Sequence, residues 1–335
     1  MTKRNGIFWG VVTVAVVVLF VCDLLLGSTS LTVSEVWNAL TVGGESEVAV
    51  IVRRFRLPKA IVAALCGAAL GASGLQMQTL FRNPLAGPYV LGVSSGASLG
   101  VALFLMGAPL VGYGSVAFSL GMVGAAWIGA AAIFMLIVSV SRRVKDIMVV
   151  LILGVMFGSV ASAVVEILQY FSTESAVKNY VVWTMGSLGN VTSAQLSIMA
   201  PVVIVGLLLS VVTIKPLNAM MLGEQYAATM GINVRRSRMA ILISTTMLAG
   251  TVTAFCGPIG FLGLAVPHVV RMATGTADHR VLMPGTILAG AALMLLCDIL
   301  SKMPTSQLTL PINTVTALLG IPIIIVVIVK GRNLF

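Results

Sequence analysis

From Met239 to Arg271 the chain reads Met-Ala-Ile-Leu-Ile-Ser-Thr-Thr-Met-Leu-Ala-Gly-Thr-Val-Thr-Ala-Phe-Cys-Gly-Pro-Ile-Gly-Phe-Leu-Gly-Leu-Ala-Val-Pro-His-Val-Val-Arg. An apolar run, 239–256, is broken by Gly257, Pro258 and Gly260, and a shorter one, 259–271, follows. Crossing about 30 Å of hydrocarbon takes roughly 20 helical residues, which the second run does not supply. Irregular backbone at membrane depth is tolerated only where protein buries it or where it lines a cavity. This stretch therefore predicts a helix held inside a bundle of other membrane helices.

Working outward, similar apolar runs lie at roughly 7–26, 60–81, 90–106, 116–140, 147–169, 196–214, 283–300 and 313–330. With the two above they predict an all-α polytopic membrane protein of ten transmembrane helices, one domain over 1–335. Composition agrees: of 335 residues 59% are apolar and 9% charged, and the mean hydropathy is +1.09. A soluble domain carries about 25% charged residues, so a water-soluble globule, a disordered chain and a nucleic-acid binder are excluded. The N-terminal run is too long for a signal-peptide core, and Cys22-Asp23-Leu24 is a poor cleavage site, which predicts a retained first helix.

The net charge of +10 is read through topology. With both termini in the cytoplasm, 14 of the 20 Lys and Arg residues fall on that side: Lys3, Arg4, Arg82, Arg142, Arg143, Lys145, Lys215, Arg235, Arg236, Arg238, Arg271, Arg280, Lys330 and Arg332. The positive-inside bias predicts an N-in, C-in arrangement. Of the other six, Lys178 and Lys302 stand apart, while Arg53, Arg54, Arg56 and Lys59 form an external basic cluster.

Two extramembrane segments exceed a simple turn. Residues 27–52 carry Glu35, Glu45 and Glu47. Residues 215–238 are internal; Pro216 suits a first helical turn and Gly231 a position just past a helix end, while Gly223 divides the stretch into two short helices. Residue types alone leave this segment open between a docking surface and a solvated loop. Glycines at four-residue spacing (Gly67/Gly71, Gly92/Gly96/Gly100, Gly154/Gly158) predict closely approaching helices. A faint likeness between 60–93 and 239–266 hints at inverted repeats, common in transporters.

Little in the sequence points to bond chemistry. Gly71-Ala72-Ser73-Gly74 and Gly92-Val93-Ser94-Ser95-Gly96 resemble serine-hydrolase patterns, but with 34 glycines such matches arise by chance, and a nucleophile needs a base within reach. His279 is placed in a loop and His268 at the end of the eighth helix. Cys22, Cys66, Cys256 and Cys297 lie in apolar runs without metal spacing and read as small buried hydrophobes. No lysine is followed by Ser or Thr, so the phosphate loop is absent; ATP-driven transport would require a nucleotide site on another chain. Asp23, Glu166 and Asp298 are the acids inside spans, each near an end, which disfavours ion coupling.

Residues 82–98, Arg-Asn-Pro-Leu-Ala-Gly-Pro-Tyr-Val-Leu-Gly-Val-Ser-Ser-Gly-Ala-Ser, resemble the FecCD family of ABC-transporter permeases. Arg56-Leu57-Pro58-Lys59, the stretch from Leu222 to Gly231, Gly257 to Leu264 with Pro267, His268 and Arg271, Asp278-His279-Arg280, and Leu310 to Thr316 resemble further family blocks, in order over 53–332. The resemblance implies the type II ABC importer permease fold in the cytoplasmic (inner) membrane of a bacterium. It also implies pairing with a second copy or a paralogous permease, two cytoplasmic ATPase subunits holding ATP and Mg, and an extracytoplasmic substrate-binding protein. This chain itself would bind no cofactor or metal and have no catalytic residue.

On the same resemblance Arg56, Lys59 and Lys302 match positions that pair with glutamates of the binding protein, with Arg53 and Arg54 beside them; the alternative is that these charges anchor helix ends in headgroups. Lys at two positions usually held by Arg gives a point charge in place of a two-pronged donor. Leu222, Gly223, Glu224, Ala227, Ala228 and Gly231 would form the coupling loop. There Ala227 and Ala228 offer a small contact face and Glu224 a polar contact. Asn83, Pro84, Gly87, Gly92, Gly257, Pro258, Gly260, Gly263 and Pro267 would be structural, with His268 and Arg271 closing the eighth helix. The expected function is import of an iron–siderophore complex, haem or cobalamin by alternating access; the alternative is an ion-coupled secondary transporter, with an enzyme third.

Overall fold

Inside lipid each backbone N–H and C=O must find a partner within the protein, and a helix provides one along its whole length. The structure, a computed structural model, describes residues 3–27, 29, 31–42, 46–107, 116–141, 147–302 and 309–330, and every regular element among them is helical. In chain order these are α1 (Lys3–Leu25), α2 (Val33–Thr41), α3 (Glu47–Val50), which runs through a π-helical turn (Ile51–Arg56) into α4 (Leu57–Leu80), α5 (Val93–Ala102) with a π-helical extension (Leu103–Gly107), α6 (Val116–Ser141), α7 (Ile147–Tyr170) and α8 (Glu174–Thr184). Then follow α9 (Ser193–Val212), α10 (Ile214–Met221), α11 (Glu224–Thr229), α12 (Val234–Cys256), α13 (Leu262–Thr274), α14 (His279–Ser301) and α15 (Ile312–Lys330). Arg142, Arg143, Lys145 and Arg332, used in the charge mapping, and Glu45 of the 27–52 segment lie outside the described residues.

Each apolar run falls on one of these helices. Among the described residues seven helical stretches are long and apolar enough to cross a membrane; the runs at 90–106, 259–271 and 313–330 give the shorter helices α5, α13 and α15. The hub is α4, whose span is 83% buried inside the chain, whereas α1 is 17% and α7 22% buried. Helices α12, α13 and α14 surround α4, and α5, α6 and α7 form a second group joined to it through α12.

The recurring glycines have identifiable partners. A methyl group on Gly67 would strike the Gly290 carbonyl, one on Gly71 that of Thr286 and one on Gly74 that of Gly263, so α4 meets α14 and α13 backbone to backbone. Gly96 and Gly100 pack on Gly129 and Ala125 of α6, and Gly92 on Gly154 and Gly158 of α7. Polar groups join the same helices. The Gln76 amide donates to Thr213 Oγ1 at 3.1 Å and accepts from Thr245 Oγ1 at 3.0 Å, linking α4, the end of α9 and α12.

Helix ends follow local chemistry. Thr32 with Glu35 and Thr192 with Gln195 form capping boxes at α2 and α9, and Asn233 and Asp278 cap α12 and α14. Arg4 donates through Nε to Ala273 O at 2.8 Å and also bonds Met272 O, covering carbonyls that the end of α13 leaves open.

Candidate functional site

At the end of the bundle that carries α2 and α3, Arg56 and Lys59 of the 53–59 cluster turn inward. Arg56 is 8% exposed; its guanidinium donates to Leu24 O and Leu25 O, both at 2.8 Å, and also to Thr29 O. It thereby closes the C-terminus of α1. Lys59 Nζ lies 3.0 Å from Asp298 Oδ1, and Lys302 Nζ lies 2.9 Å from Asp298 Oδ2 and 2.6 Å from Asp23 Oδ1. Asp23 and Asp298 are 0% and 1% exposed, so a buried ionic network ties α1, α4 and α14 together. The sequence reading assigned Lys59 and Lys302 outward and missed these partners, which are 279 positions apart in the case of Asp23 and Lys302. The usable signal was physical: an acid inside an apolar run must find a counter-charge. Arg53 bonds Ala39 O and Leu40 O, while Arg54 is exposed.

Two breaks in the helices meet inside the bundle. After α4 the chain turns through Asn83, whose Oδ1 accepts from Leu85 N at 2.9 Å, and reaches Gly92 at φ 68° before α5 begins. After α12 it turns at Gly257 (φ 77°), and Gly260 N donates to Asn313 Oδ1 at 2.9 Å. Gly263 packs on Pro88, Gly87 on Leu264, and the Tyr89 hydroxyl accepts from Ile259 N at 3.4 Å. Both breaks are thus covered by protein, as irregular backbone in a membrane requires.

His268 does not end α13, which continues to Thr274 with Gly275 at φ 66° after it. Its Nε2 contacts Pro84 O at 2.9 Å, pinning the 82–92 turn, and Arg271 donates to Gln78 Oε1 at 2.6 Å, tying α13 to the last turn of α4. Nor is His279 in a loop: it opens α14, fully buried between Thr79 Oγ1 (2.8 Å) and Asn218 Oδ1 (2.7 Å). Neither histidine serves the serine patterns, and Ser73 Oγ donates to Ala69 O at 2.7 Å.

Beside the first break lies a groove of about 580 Å³ lined by Tyr89, Val90, Gly92 and Ser95 and by the Gly154–Glu166 face of α7. The sequence reading noticed Glu166 as an intramembrane acid and did not connect it to a surface.

At the opposite end Gly223 (φ 126°) separates α10 from α11, and Gly231 (φ 81°) follows α11. Arg238 holds Glu224 through Nε at 2.9 Å. Asn218 Nδ2 donates to Asp278 Oδ1 at 2.7 Å and Arg82 Nη2 to Met220 O at 2.9 Å, which bolts this pair of helices to α14 and to the 82–92 turn. Ala227, read from the sequence as part of an outward face, is fully buried, because it sits on the side of α11 turned toward the bundle. The outward face consists of Leu222, Tyr226, Ala228 and Met230, all exposed, beside a groove of about 570 Å³ lined by Phe81, Arg82, Met148, Tyr226 and Arg238.

Comparison with known proteins gives one consistent answer. The vitamin B12 import system permease protein BtuC of Shigella boydii is 37% identical over 336 residues, covering 99% of this chain and 98% of its own. The hemin transport system permease protein HmuU of Yersinia pestis is 35% identical over 325 residues, covering 97% and 96%. A solved inward-facing metal-chelate type ABC transporter superposes with a TM-score of 0.84 at 28% identity, covering 97% of this chain and 99% of that one. PsaBC of Streptococcus pneumoniae, at a TM-score of 0.55 and 17% identity, shares the fold alone. The model of the FecCD transport family matches residues 15–330, and the chain belongs to that family.

Proposed function

We propose that this chain is the membrane-spanning subunit of a binding-protein-dependent ABC importer that carries a bulky metal chelate: an iron–siderophore complex, haem or cobalamin. The observation that carries the reading is the family match over nearly the whole chain, joined to a sequence without a phosphate loop. Energy then comes from ATP and Mg on two partner ATPases seated against α10 and α11. The exposed Leu222, Tyr226 and Met230 give that seat an apolar face, and the rigid links through Asn218 and Arg82 carry ATP-driven motion to α14 and the central turn. A second copy or a paralogue completes the path. The subunit lies in the cytoplasmic membrane with both termini inside, which places α2 and the 53–59 cluster outside, where a binding protein delivers cargo. Lys59 and Lys302 already neutralise Asp298 and Asp23, so Arg54 is the external charge freest to meet an acidic partner. Transport proceeds by alternating access.

The test is purification of the tagged chain in mild detergent from a host producing the whole system. A stoichiometric co-purifying protein with a phosphate loop, lost when Leu222, Tyr226 and Met230 become Asp, supports the reading. Retention of that protein by the triple variant removes α10–α11 as the seat, and a chain that purifies alone removes the ATPase.

A further inference from the structure

Resting on the importer reading, we infer that the Ser159–Ser162–Glu166 face of α7 is a water-facing wall of the cargo path, and that Glu166 makes this path select neutral or cationic chelates over anionic ones. Positions 159, 162 and 166 follow the i, i+3, i+7 spacing that puts side chains on one helix face. All three are exposed in the chain and line the 580 Å³ groove opposite Tyr89 and Ser95. Glu166 forms no hydrogen bond or ion pair with any described residue. It stands four residues inside the end of α7 at Tyr170, about 6 Å of helix rise. A carboxylate there cannot face hydrocarbon without a large cost, and intramembrane acids face a bundle interior or a water-filled cavity. The remaining groove-lining side chains are neutral and mostly small, so this carboxylate sets the sign of the potential in a cleft with low-dielectric walls, and such clefts concentrate one sign of charge. A second copy across the path would add a second carboxylate. An iron tris-catecholate or a porphyrin dicarboxylate would be repelled, whereas a neutral hydroxamate chelate or a corrinoid would pass.

The test uses the full chain in lipid nanodiscs with Cys22, Cys66, Cys256 and Cys297 changed to Ala and with Ser162→Cys added. The probes are a cationic trimethylammonium and an anionic sulfonate methanethiosulfonate reagent. Their rate ratio at position 162, normalised to that of a small thiol in solution, is expected to favour the cation roughly tenfold or more. Adding Glu166→Gln should bring it to about one, and Glu166→Lys should invert it. A thiol at 162 that reacts with neither reagent, or a ratio indifferent to residue 166, overturns the inference. Labelling requires neither ATPase nor cargo, so such a failure leaves the importer reading standing. Conversely, absence of ATP-driven uptake would sink that reading without touching the labelling result.

Discussion

Asp298 accepts two ammonium groups in a site that water scarcely reaches, and Lys302 divides its charge between Asp298 and Asp23. Removing one member of a buried ionic set leaves the others charged and unpaired, at a cost of about 3–5 kcal/mol. Asp298→Ala should therefore lower the detergent unfolding temperature markedly, and Lys302→Met, which strands Asp23, should do the same. An unchanged midpoint in both would show that the network does not hold α1 and α14 to α4. Glu35 allows a milder test: its carboxylate accepts from the Thr32 N–H and hydroxyl, both at 2.7 Å, and these bonds hold its pKa below the ordinary carboxylate range. A depressed folded pKa means that the capping contribution to α2 is complete above the unfolded value and is lost as pH falls through the folded one. Hydrogen exchange at the α2 amides, corrected for intrinsic rates, should accelerate on acidification in the parent chain, and Glu35→Gln should flatten that response.

Helix crossings set the next level of constraint. Gly67 and Gly290 bring α4 and α14 into backbone contact, whereas Gly10 on α1 has open space around it. Overpacking a tight contact costs about 1–3 kcal/mol or more. Gly67→Val should destabilise the protein by at least that much in thermal unfolding, while Gly10→Ala should be neutral. Equal effects from the two would contradict the crossing geometry. The close-packing glycines were legible in the sequence because four-residue spacing has one physical meaning in lipid, and the broken helix at 257–261 was legible because Gly and Pro interrupt an apolar run. Their partners were not, since Gly74 meets Gly263 through tertiary packing that spacing does not encode. Helices α2 and α8 were missed because short amphipathic elements carry no 20-residue apolar signal. The intrachain partners of the basic cluster were not legible because a lysine's partner 239 residues away, as Asp298 is to Lys59, leaves no local trace.

The whole molecule joins three parts: a charged lock at one end, covered helix breaks beside a polar groove, and a pair of short helices bolted to the bundle at the other end. Of the described acids within its spans, Asp23 and Asp298 are held in ion pairs and Glu166 is exposed on a groove wall. The most direct measurement is uptake into liposomes containing the chain with its ATPase and binding protein, using a neutral hydroxamate iron chelate and cobalamin as probes. Uptake is expected to require ATP on the α10–α11 side together with both partners, and to survive ionophores that collapse proton and sodium gradients. Accumulation by the chain alone on an imposed ion gradient, without ATP, would contradict the account.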